Sequence, residues 1–405
     1  MSVIWLISQT ATTPQTGYGG RTHYLARELV KLGHQVTVIS ARNHHLLWNK
    51  SSDRGASEKE DNESYSIAHI PTLKYHRARD KRRVINWFIF ALFLPFLRWA
   101  PGEKPDAILY SSPSLIGFLG AEQLAKRAKA KLVFEVRDLW PLTLTEIGGY
   151  SKKNVFIRFL QWVEDRAYSR ADRVVSNLEG AVNHMVEHGL NEKKFSWISN
   201  GYCREEFDAS ADAYEGSSYI VPTGKFVVGY LGTLGHANSL DTLIAAADKL
   251  REHDDIAFLI VGQGSEKEHL INEASRLRLS NLTILDPVPK KQIYSILKTF
   301  DVCALAWKKS ALYQFGNGAN KIYEYLFSGK PIVQSYSGLF DLVSTYDAGI
   351  TSEAENSAQL AEAILRLKNM SAADREQLGS NGKAAAITHH EYGSLARKLE
   401  DVLLG

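Results

Sequence analysis

The chain is poor in cysteine. Its 405 residues include two, Cys203 and Cys303, which lie far apart and in no C-x-x-C pattern. Such sparse cysteine usage is typical of a reducing compartment. The first apolar strand begins at Val3, and nothing before it resembles a signal peptide. We therefore expect the protein to be cytoplasmic.

The excess of positively over negatively charged residues is also small. The chain has 48 Lys and Arg residues against 45 Asp and Glu, a net charge of +3. Bulk charge of this size gives no reason to expect nucleic acid as a partner. The sequence contains no low-complexity tract and no short-period repeat. With 44% apolar residues, it is long enough for two or three ordinary domains.

Long hydrophobic runs are missing too. Residues 84–97, VINWFIFALFLPFL, form an apolar run of 14 residues, whereas a membrane-spanning helix needs about 20. A basic cluster precedes this run, made of Lys74, Arg77, Arg79, Lys81, Arg82 and Arg83. A basic cluster beside an aromatic helix predicts that segment 74–104 lies in the headgroup region of an anionic membrane. The alternative is a buried core helix that follows a solvated basic loop.

Two parts of the chain begin with the same pattern of strand, glycine turn and helix. In the first part, the loop between a strand at 3–8 and a helix at 22–32 ends in Gly17, Gly19 and Gly20. In the second part, the turn contains Gly232, Thr233 and Gly235 and lies between a strand at 226–230 and a helix at 241–250. Each part therefore starts like a βαβ unit.

Strands and helices continue to alternate through the second part. Its further strands are predicted at 256–261, 282–285 and 302–306, and its further helices at 266–277 and 291–299. This alternation predicts an α/β fold with parallel, doubly wound sheets. We expect two facing Rossmann-like domains with a cleft between them, at residues 1–205 and 224–388. The final helix, within residues 389–405, is expected to pack back on the first domain.

The stretch FGNGANKIYEYLFSGKPIV at residues 315–333 gives the clearest indication of a binding site. A loop containing Gly316, Asn317, Gly318 and Asn320 runs into a helix whose first turn holds Lys321. Free backbone N–H groups, the helix dipole and a lysine at one helix start predict an anion site.

Glu324 follows one turn later. A carboxylate cannot help to bind phosphate, but it can accept hydrogen bonds from sugar hydroxyls. Phosphate and sugar recognition together indicate a nucleotide-sugar. The alternative is a plain helix with a glycine loop before it and a Gly329 cap after it.

Longer motifs resemble the large retaining family of GT-B glycosyltransferases, the family 4-like group. In the second half, the resemblance lies in VVGYLGTLGHANSLDTLIAAADKL, FLIVGQGSEKEHL, NLTILDPVPKKQIYSILKTFDVCALA and GANKIYEYLFSGKPIV. In the first half, GYGGRTHYLARELVKLGHQVTVIS, FEVRDLWP and VSNLEG resemble the subset that builds O-antigen, capsule and exopolysaccharide. The resemblance spans essentially the whole chain.

The resemblance implies a retaining glycosyltransferase that uses a nucleotide-sugar. Uridine is the base that the family favours, and the transferred group would be a hexosyl or N-acetylhexosaminyl residue. The chain contains no D-x-D pair, so we expect neither a metal ion nor a cofactor. With the basic and apolar segment, the resemblance implies a lipid-linked or oligosaccharide acceptor at the inner face of the cytoplasmic membrane.

The same resemblance assigns residues to roles. Lys321 is expected to meet the diphosphate, Glu324 the ribose and the Val288 backbone the base. The donor-binding residues are Gly17, Gly19, Gly20, Gly232, Thr233, His236, Gly262, Val288, Gly316, Asn317, Gly318, Asn320, Lys321 and Glu324. The catalytic candidates are Arg137, Asp138 and Lys321, and the acceptor- or membrane-facing residues are Arg82, Arg83, Trp87, Phe88, Phe90 and Phe93.

Simpler interpretations of some of these residues stay open. Arg137 and Asp138 would otherwise form a structural ion pair at the end of a strand. His236 would otherwise be an exposed turn residue.

The chain departs from the family pattern in two places. Of two glutamates separated by seven residues, Glu324 matches the second, while the first falls on Gly316. Where many members carry an Arg and a Lys after the first glycine of the second domain, this chain has Thr233 and Asn238-Ser239. Neutralising a diphosphate would therefore depend more heavily on Lys321.

Other functions remain possible from the sequence. A nucleotide-sugar epimerase can share this architecture, but it would not need the segment at 74–104. The missing first glutamate would also suit a non-catalytic membrane-associated scaffold. An NAD-dependent dehydrogenase is disfavoured, because neither glycine turn reads G-x-G-x-x-G with an acidic residue after the next strand.

Overall fold

A computed structural model describes residues 1–17, 19–48, 64–75, 80–210 and 223–405. The side chains of residues 209, 210 and 291 are not included. Two of the predicted basic residues, Arg77 and Arg79, lie outside the described residues. So does most of the linker that the sequence predicts near residues 205–223, between the two domains. The chain divides into two compact units, Met1–Asn200 with Tyr392–Gly405, and Gly201–Glu391.

The first unit is built on a seven-stranded parallel sheet in the order β3-β2-β1-β4-β5-β6-β7. Its strands are β1 (Val3–Ser8), β2 (Gln35–Ala41), β3 (Ser66–Ile70), β4 (Ala107–Ser111), β5 (Lys131–Val136), β6 (Arg173–Ser176) and β7 (Phe195–Trp197). Its helices begin with α1 (Arg21–Lys31), α2 (Arg82–Phe93), α3 (Gly117–Ala128), α4 (Leu142–Glu146), α5 (Val155–Arg170) and α6 (Ala181–Glu187). β1 and β4 are buried throughout, as expected of central strands covered on both faces.

The second unit has a six-stranded parallel sheet in the order β10-β9-β8-β11-β12-β13. Its strands are β8 (Phe226–Leu231), β9 (Ile256–Val261), β10 (Leu282–Leu285), β11 (Val302–Ala306), β12 (Ile332–Ser335) and β13 (Gly349–Ser352). Its helices are α7 (Arg204–Ser210), α8 (Leu240–Lys249), α9 (Lys267–Arg276), α10 (Ile293–Lys298), α11 (Asn320–Ser328), α12 (Leu342–Thr345), α13 (Ser357–Asn369) and α14 (Ala372–His389). Two apolar clusters, each of which includes residues of the sheet strands, form the core of the second unit.

These two sheets confirm the predicted α/β class with parallel, doubly wound domains. In each sheet the strand order reverses beside the first strand, between β1 and β4 and between β8 and β11. Ligands of such sheets bind outside the carboxyl ends of the strands, at the reversal. The fold thus indicates where to look for a site in each unit.

The last helix, α15 (Tyr392–Leu404), belongs to the first unit. It packs against α1, where the rings of Tyr392 and Tyr24 stack with centroids 4.6 Å apart. Further along, His34 Nε2 and Glu400 Oε1 lie 2.7 Å apart. The unit boundaries fall at residues 200 and 391, whereas the sequence placed them at 205 and 388. The difference arises because α7 starts at Arg204 and lies in the second unit.

Helix α2 contains most of the apolar run at residues 84–97, which lies in the segment predicted to face a membrane. One face of α2 is buried and includes Trp87 and Phe90, so the prediction that these two side chains lie on a membrane-facing surface is wrong. The opposite face exposes Ile85, Phe88 and Leu92. The helical repeat of 3.6 residues explains this division, since a continuous apolar run must place some side chains on each face.

Among the described residues, no helix is both long enough and apolar enough to cross a membrane.

The position of Leu399 in α15 gives a test of how far the first unit depends on this helix. Leu399 is fully buried, so Leu399→Ala should lower the free energy of unfolding of the first unit by about 2–5 kcal/mol. Urea denaturation followed by tryptophan fluorescence reports this unit, because every tryptophan except Trp307 lies within residues 1–200.

The matched control is Lys398→Ala. Lys398 is exposed in the same helix, so this change should alter the unfolding free energy by no more than about 0.5 kcal/mol. Equal effects of the two substitutions would show that α15 does not contribute to the core of the first unit.

Candidate functional site

The start of helix α11, in the second unit, lacks a side-chain cap. Its N-cap residue is Ala319, and no side chain accepts a hydrogen bond from the first backbone N–H groups. In α13, by contrast, Asn356 caps the helix by accepting from the Gln359 N–H. Uncapped N–H groups and the helix dipole make the start of α11 a favourable place for an anion.

Lys321 lies in a closed ring of hydrogen bonds at this helix start. Its Nζ donates to Tyr230 Oη at 2.6 Å and to Asn238 Oδ1 at 2.5 Å. The Tyr230 hydroxyl and the Asn238 amide both donate to the backbone oxygen of Thr233, at 2.7 and 2.8 Å. The ring therefore fixes the ammonium group against the turn that follows β8.

All the hydrogen-bond partners of Lys321 are neutral. The aromatic rings of Tyr230 and Trp307 also approach its Nζ, with centroids at 4.6 and 5.3 Å. In the part of the chain that the structure describes, Lys321 forms no ion pair. Burial lowers the pKa of Lys321 to about 7, although the charge of Glu324 opposes this shift. A partly buried ammonium group whose described hydrogen-bond partners are neutral is a favourable place for an anion to bind.

Glycines allow the surrounding backbone to approach closely. A Cβ on Gly232 would lie 3.3 Å from Lys321 Cε, and Gly232 has a φ of 154°. A Cβ on Gly262 would lie 1.9 Å from the Gly232 oxygen, so Gly262 is required by packing between two loops. Gly262 therefore shapes the turn after β8, and its contact with a donor stays a prediction.

Helix α11 is attached to the end of β8 by Tyr325. Its buried hydroxyl accepts from the Leu231 N–H at 2.7 Å and donates to the Leu231 oxygen at 3.0 Å. Leu231 is the last residue of β8, one residue before Gly232. This contact holds the helix start, and with it Lys321, at the reversal of the strand order.

Glu324 of the same helix lies near two further charged residues, Lys290 and Glu206. Burial raises the pKa of Glu324 to about 7, and Lys290, Glu206 and Lys321 are the charges that act on it. Lys290 and Glu206 form an ion pair at 3.0 Å. Because its pKa is close to neutral, Glu324 can accept or donate hydrogen bonds near pH 7.

The other predicted donor residues of the second unit occupy varied positions. Thr233 and His236 are exposed, and Val288 is partly buried against the core. Asn317 accepts from the Ala319 N–H at 3.0 Å and so braces the loop before α11. Gly316 has a φ of 106°, a conformation that disfavours side chains. At the position of the first family glutamate, this chain thus has a backbone conformation that a glutamate could adopt only with strain.

In the first unit, the glycine loop is anchored by a buried arginine. Gly20 precedes α1, and Arg21 is its first residue. Arg21 Nε donates to Glu135 Oε1 at 2.8 Å, and its other nitrogens donate to the backbone oxygens of Ile198 and Ser199. The loop also folds on itself, since the Thr12 hydroxyl donates to the Gly19 oxygen at 3.0 Å.

Glu135, the partner of Arg21, stays charged inside the core. Burial would raise its pKa, but the charges of Arg21 and Arg137 and a hydrogen bond from Ser111 together lower the pKa below the usual value. Breaking a buried pair of this kind is strongly destabilising, because one charge is left without a partner.

Arg137 and Asp138 follow β5, as the sequence predicted, but they do not form an ion pair. Asp138 accepts from Trp140 Nε1 at 2.9 Å and from the Thr143 hydroxyl at 2.6 Å, so both its oxygens brace the turn into α4. The Arg137 N–H donates to Ser112 Oγ at 2.8 Å. Their catalytic roles, and the contact of Gly17, Gly19 and Gly20 with a donor, stay predictions.

One group among the described residues offers donor atoms close enough for a metal ion. Glu164 of α5, His184 of α6 and His188 have ligand atoms within 4.8 Å of one another. Glu164 already accepts from the Tyr168 hydroxyl at 2.8 Å and from Gln161 at 2.7 Å. Both of these hydrogen bonds lie within α5, and the contact that links Glu164 to α6 is the one between its Oε1 and His184 Nε2 at 3.3 Å.

Sequence reasoning missed several members of these sites. Tyr230 and Trp307 lie at the ends of the neighbouring strands β8 and β11, so the rule for strand ends could have found them. Arg21 directly follows the predicted glycine loop. No sequence pattern indicated a role for Glu206, because this residue falls in the predicted linker.

Two family models match consecutive parts of the chain. The glycosyl transferase 4-like domain matches residues 16–201, and the glycosyl transferases group 1 family matches residues 217–385. The chain is also similar to the putative colanic acid biosynthesis glycosyl transferase WcaI of Escherichia coli strain K12. The two are 25% identical over 308 residues, which are 73% of this chain and 74% of WcaI.

Solved structures show the same architecture. Sucrose-phosphate synthase from Thermosynechococcus elongatus superposes with a TM-score of 0.75 at 16% identity, covering 99% of this chain and 98% of that one. Anabaena HepE, solved in complex with UDP and glucose, gives 0.67 at 14% identity and covers 100% and 99%. The chain belongs to the family 4-like glycosyltransferases and has their two-domain GT-B fold.

Proposed function

We propose that this glycosyltransferase moves a hexosyl or N-acetylhexosaminyl group from a UDP-sugar to a lipid-linked saccharide, with retention of configuration. The observation that carries the proposal is the partly buried Lys321 at the uncapped start of α11, whose hydrogen-bond partners among the described residues are all neutral. The name of WcaI, which refers to colanic acid biosynthesis, favours a role in bacterial surface polysaccharide synthesis. HepE was solved with UDP and glucose, which favours uridine.

In this proposal Lys321 and α11 stabilise the leaving group. As the bond between the sugar carbon and the β-phosphate oxygen breaks, negative charge grows on that phosphate. Donors already fixed in position stabilise this charge more in the transition state than in the ground state. The ring through Tyr230 and Asn238 holds Lys321 in place before the donor arrives, so little reorganisation is needed.

Glu324 and the loop around Val288 would bind the nucleoside. Glu324 lies one turn beyond Lys321 and would accept from the ribose hydroxyls, while the backbone of Val288 would meet the base. Asn238 occupies a place where many family members carry a lysine, and here it accepts from Lys321 instead. Lys321 would thus be the main side-chain cation for the diphosphate.

The same arrangement supports a mechanism without a metal ion. Lys321 and the N–H groups of α11 supply the positive potential that a divalent cation would otherwise supply. The acceptor oxygen would attack the sugar from the side of the departing phosphate, and that phosphate would take the acceptor proton. The new bond would then have the configuration of the old one.

An exposed apolar surface in the first unit supports membrane contact. On α2 it consists of Ile85, Phe88 and Leu92, and Phe96 follows the helix. It continues onto α5, where Phe159 stacks on Phe88 with centroids 6.1 Å apart and Trp162 is exposed. We call these side chains the α2–α5 surface.

Six exposed basic residues lie in or close to α2 and α5 in sequence, namely Lys81, Arg82, Arg98, Lys152, Lys153 and Arg158. Exposed apolar side chains together with basic residues are suited to the headgroup region of an anionic leaflet. We therefore propose that the protein is cytoplasmic and binds the inner face of the cytoplasmic membrane, where a lipid-linked acceptor would be found.

The first experiment is calorimetric titration of the protein with UDP, GDP and ADP, with and without EDTA. Selective binding of UDP that survives EDTA is the expected result. Failure of all three to bind would contradict the donor site and favour a non-catalytic scaffold. The anomeric configuration of the product, read by NMR, then tests retention.

The pKa of Lys321 predicts how UDP binding depends on pH. A pKa of about 7 means that the fraction of Lys321 carrying charge falls as the pH rises above 7. Because the diphosphate is already fully ionised there, the dissociation constant of UDP should rise by up to about tenfold per pH unit between pH 7.5 and 9. Calorimetry across this range measures the slope.

Two variants identify the titrating group. Lys321→Met should weaken UDP binding by about 10- to 100-fold at pH 7 and remove the slope, because a charged hydrogen bond is lost. Glu324→Gln keeps the size of the side chain, removes its titration and should retain the slope. If instead the slope survives in Lys321→Met and vanishes in Glu324→Gln, then Glu324 controls binding.

The α2–α5 surface predicts the effect of a triple substitution. Phe88→Ser, Leu92→Ser and Phe96→Ser together should reduce binding to phosphatidylglycerol vesicles at least about tenfold, because exposed apolar area is lost. The three side chains are exposed, so the melting temperature should change little. Vesicle sedimentation at low and high salt measures the loss.

The matched control replaces three exposed apolar residues of the second unit, Ile271, Leu339 and Ile387, by Ser. This control should bind vesicles like the unaltered protein. If the two triple variants behave alike, vesicle binding does not depend on the α2–α5 surface.

A further inference from the structure

Two histidines and two carboxylates meet where α5 and α6 pack together in the first unit. His184 and His188 are four residues apart, so the last turn of α6 brings them to the same side, and their ring centroids are 4.4 Å apart. On α5, Glu164 Oε1 lies 3.3 Å from His184 Nε2. Asp165 Oδ1 lies 2.9 Å from His188 Nδ1. Imidazole nitrogens together with a carboxylate oxygen form a donor set typical of zinc.

The spacing of the donor atoms is close to that of a metal site. Glu164, His184 and His188 each offer one ligand atom, and the three atoms lie within 4.8 Å of one another. With bonds of about 2.0–2.1 Å, a four-coordinate zinc ion holds its ligand atoms about 3.3 Å apart. Glu164 Oε1 and His184 Nε2 already have this separation, at 3.3 Å. A shift of His188 toward this pair would complete a site with three protein ligands.

The burial of the three side chains suits the entry of an ion. Glu164 and His184 have side chains that are 1% and 7% exposed, whereas the side chain of His188 is 29% exposed. The two buried side chains are held by the packing around them. His188 lies at the open side of the cluster, where it can change its rotamer and where an ion can enter from solvent. The fourth position would be left to water.

The carboxylates of this cluster have no lysine or arginine partner among the described residues. Glu164 accepts from the Tyr168 hydroxyl at 2.8 Å and from Gln161 Nε2 at 2.7 Å. Burial raises the pKa of Tyr168 well above its usual value, so this hydroxyl stays protonated. Both donors are therefore neutral. Buried charges in proteins are generally paired with an opposite charge or bound to a metal ion, and a divalent ion would supply the positive charge that neutral imidazoles lack.

We propose that Glu164, His184 and His188 bind one divalent transition-metal ion, through two imidazole nitrogens and a carboxylate oxygen. Zinc fits this donor set, because it takes four nitrogen or oxygen ligands. Mg²⁺ and Ca²⁺ fit it poorly, because they prefer oxygen ligands alone. The ion would join the last turn of α6 to the middle of α5. Only folding brings Glu164 beside His184, twenty residues later, so no local motif contains all three ligands.

This ion would be structural and separate from glycosyl transfer. The cluster lies in the first unit, whereas Lys321 and α11 lie in the second. The proposal therefore concerns the stability of the first unit, and it leaves the mechanism proposed above, which needs no metal ion, unchanged.

The test titrates ZnCl₂ into the full chain, freed of metal beforehand with EDTA, and measures binding by calorimetry. We expect one ion per chain with a dissociation constant below about 1 μM. His188→Gln should weaken this binding more than about 100-fold, since losing a group that merely orients a ligand already costs about 10- to 100-fold. Because His188 is partly exposed, the substitution should change the melting temperature of the metal-free protein little.

The matched control is His269→Gln, in the second unit. His269 also lies beside a carboxylate, with its Nε2 2.7 Å from Asp241 Oδ1, but the described residues offer no third ligand atom there. This variant should bind zinc like the unaltered protein. If His188→Gln and His269→Gln bind zinc with equal affinity, the ion binds elsewhere and the proposal is overturned.

Two further measurements report the site itself. Zinc at 100 times its dissociation constant should raise the melting temperature of the first unit, followed by tryptophan fluorescence, by about 5 °C. Co²⁺ in place of zinc should give the strong visible absorption of a four-coordinate ion, and both effects should be lost in His188→Gln and in Glu164→Gln. Weak absorption of a six-coordinate ion that neither substitution alters would show adventitious surface binding only, which would also overturn the proposal.

Discussion

The partial burial of Lys321 among neutral partners is the constraint on which the candidate site of the second unit depends. Its ammonium group joins α11 to the turn after β8 through Tyr230 and Asn238, and both of these residues also hold the Thr233 oxygen. Burying a charge in this way is unfavourable by itself, which is why its pKa falls to about 7. A diphosphate bound there, as proposed, would give Lys321 an anionic partner and offset part of this cost.

Most of the fold could be predicted because its central strands are buried on both faces. β9 (Ile256–Val261) and β11 (Val302–Ala306) are buried throughout and have the predicted bounds, since an apolar run between polar turns leaves little freedom for a parallel strand. The edge strand β10 (Leu282–Leu285) is only partly buried and also has the predicted bounds. Helix ends moved by a residue or two. The predicted helix at 291–299 begins at Ile293, because a short 3₁₀ turn at Lys290–Gln292 precedes it.

Site residues could be predicted only where they lie close to one another along the sequence. Lys321 and Glu324 follow a glycine loop within a few residues, whereas Tyr230 and Asn238 reach Lys321 from more than eighty residues away. Composition alone made all of α2 look suited to a membrane, and only packing showed that Phe90 is in the core. Gln9 Oε1 and Ser114 Oγ are buried and have no hydrogen-bond partner among the described residues, which can be seen only when their surroundings are known.

The return of α15 to the first unit has a consequence for the order of events during synthesis. The first unit consists of residues 1–200 and 392–405, so the whole second unit is translated before the first can be completed. Until then Tyr24 lacks the ring of Tyr392, and α1 lacks the helix that packs against it. The second unit, which is continuous in sequence, can finish folding earlier, although the ribosome makes it later.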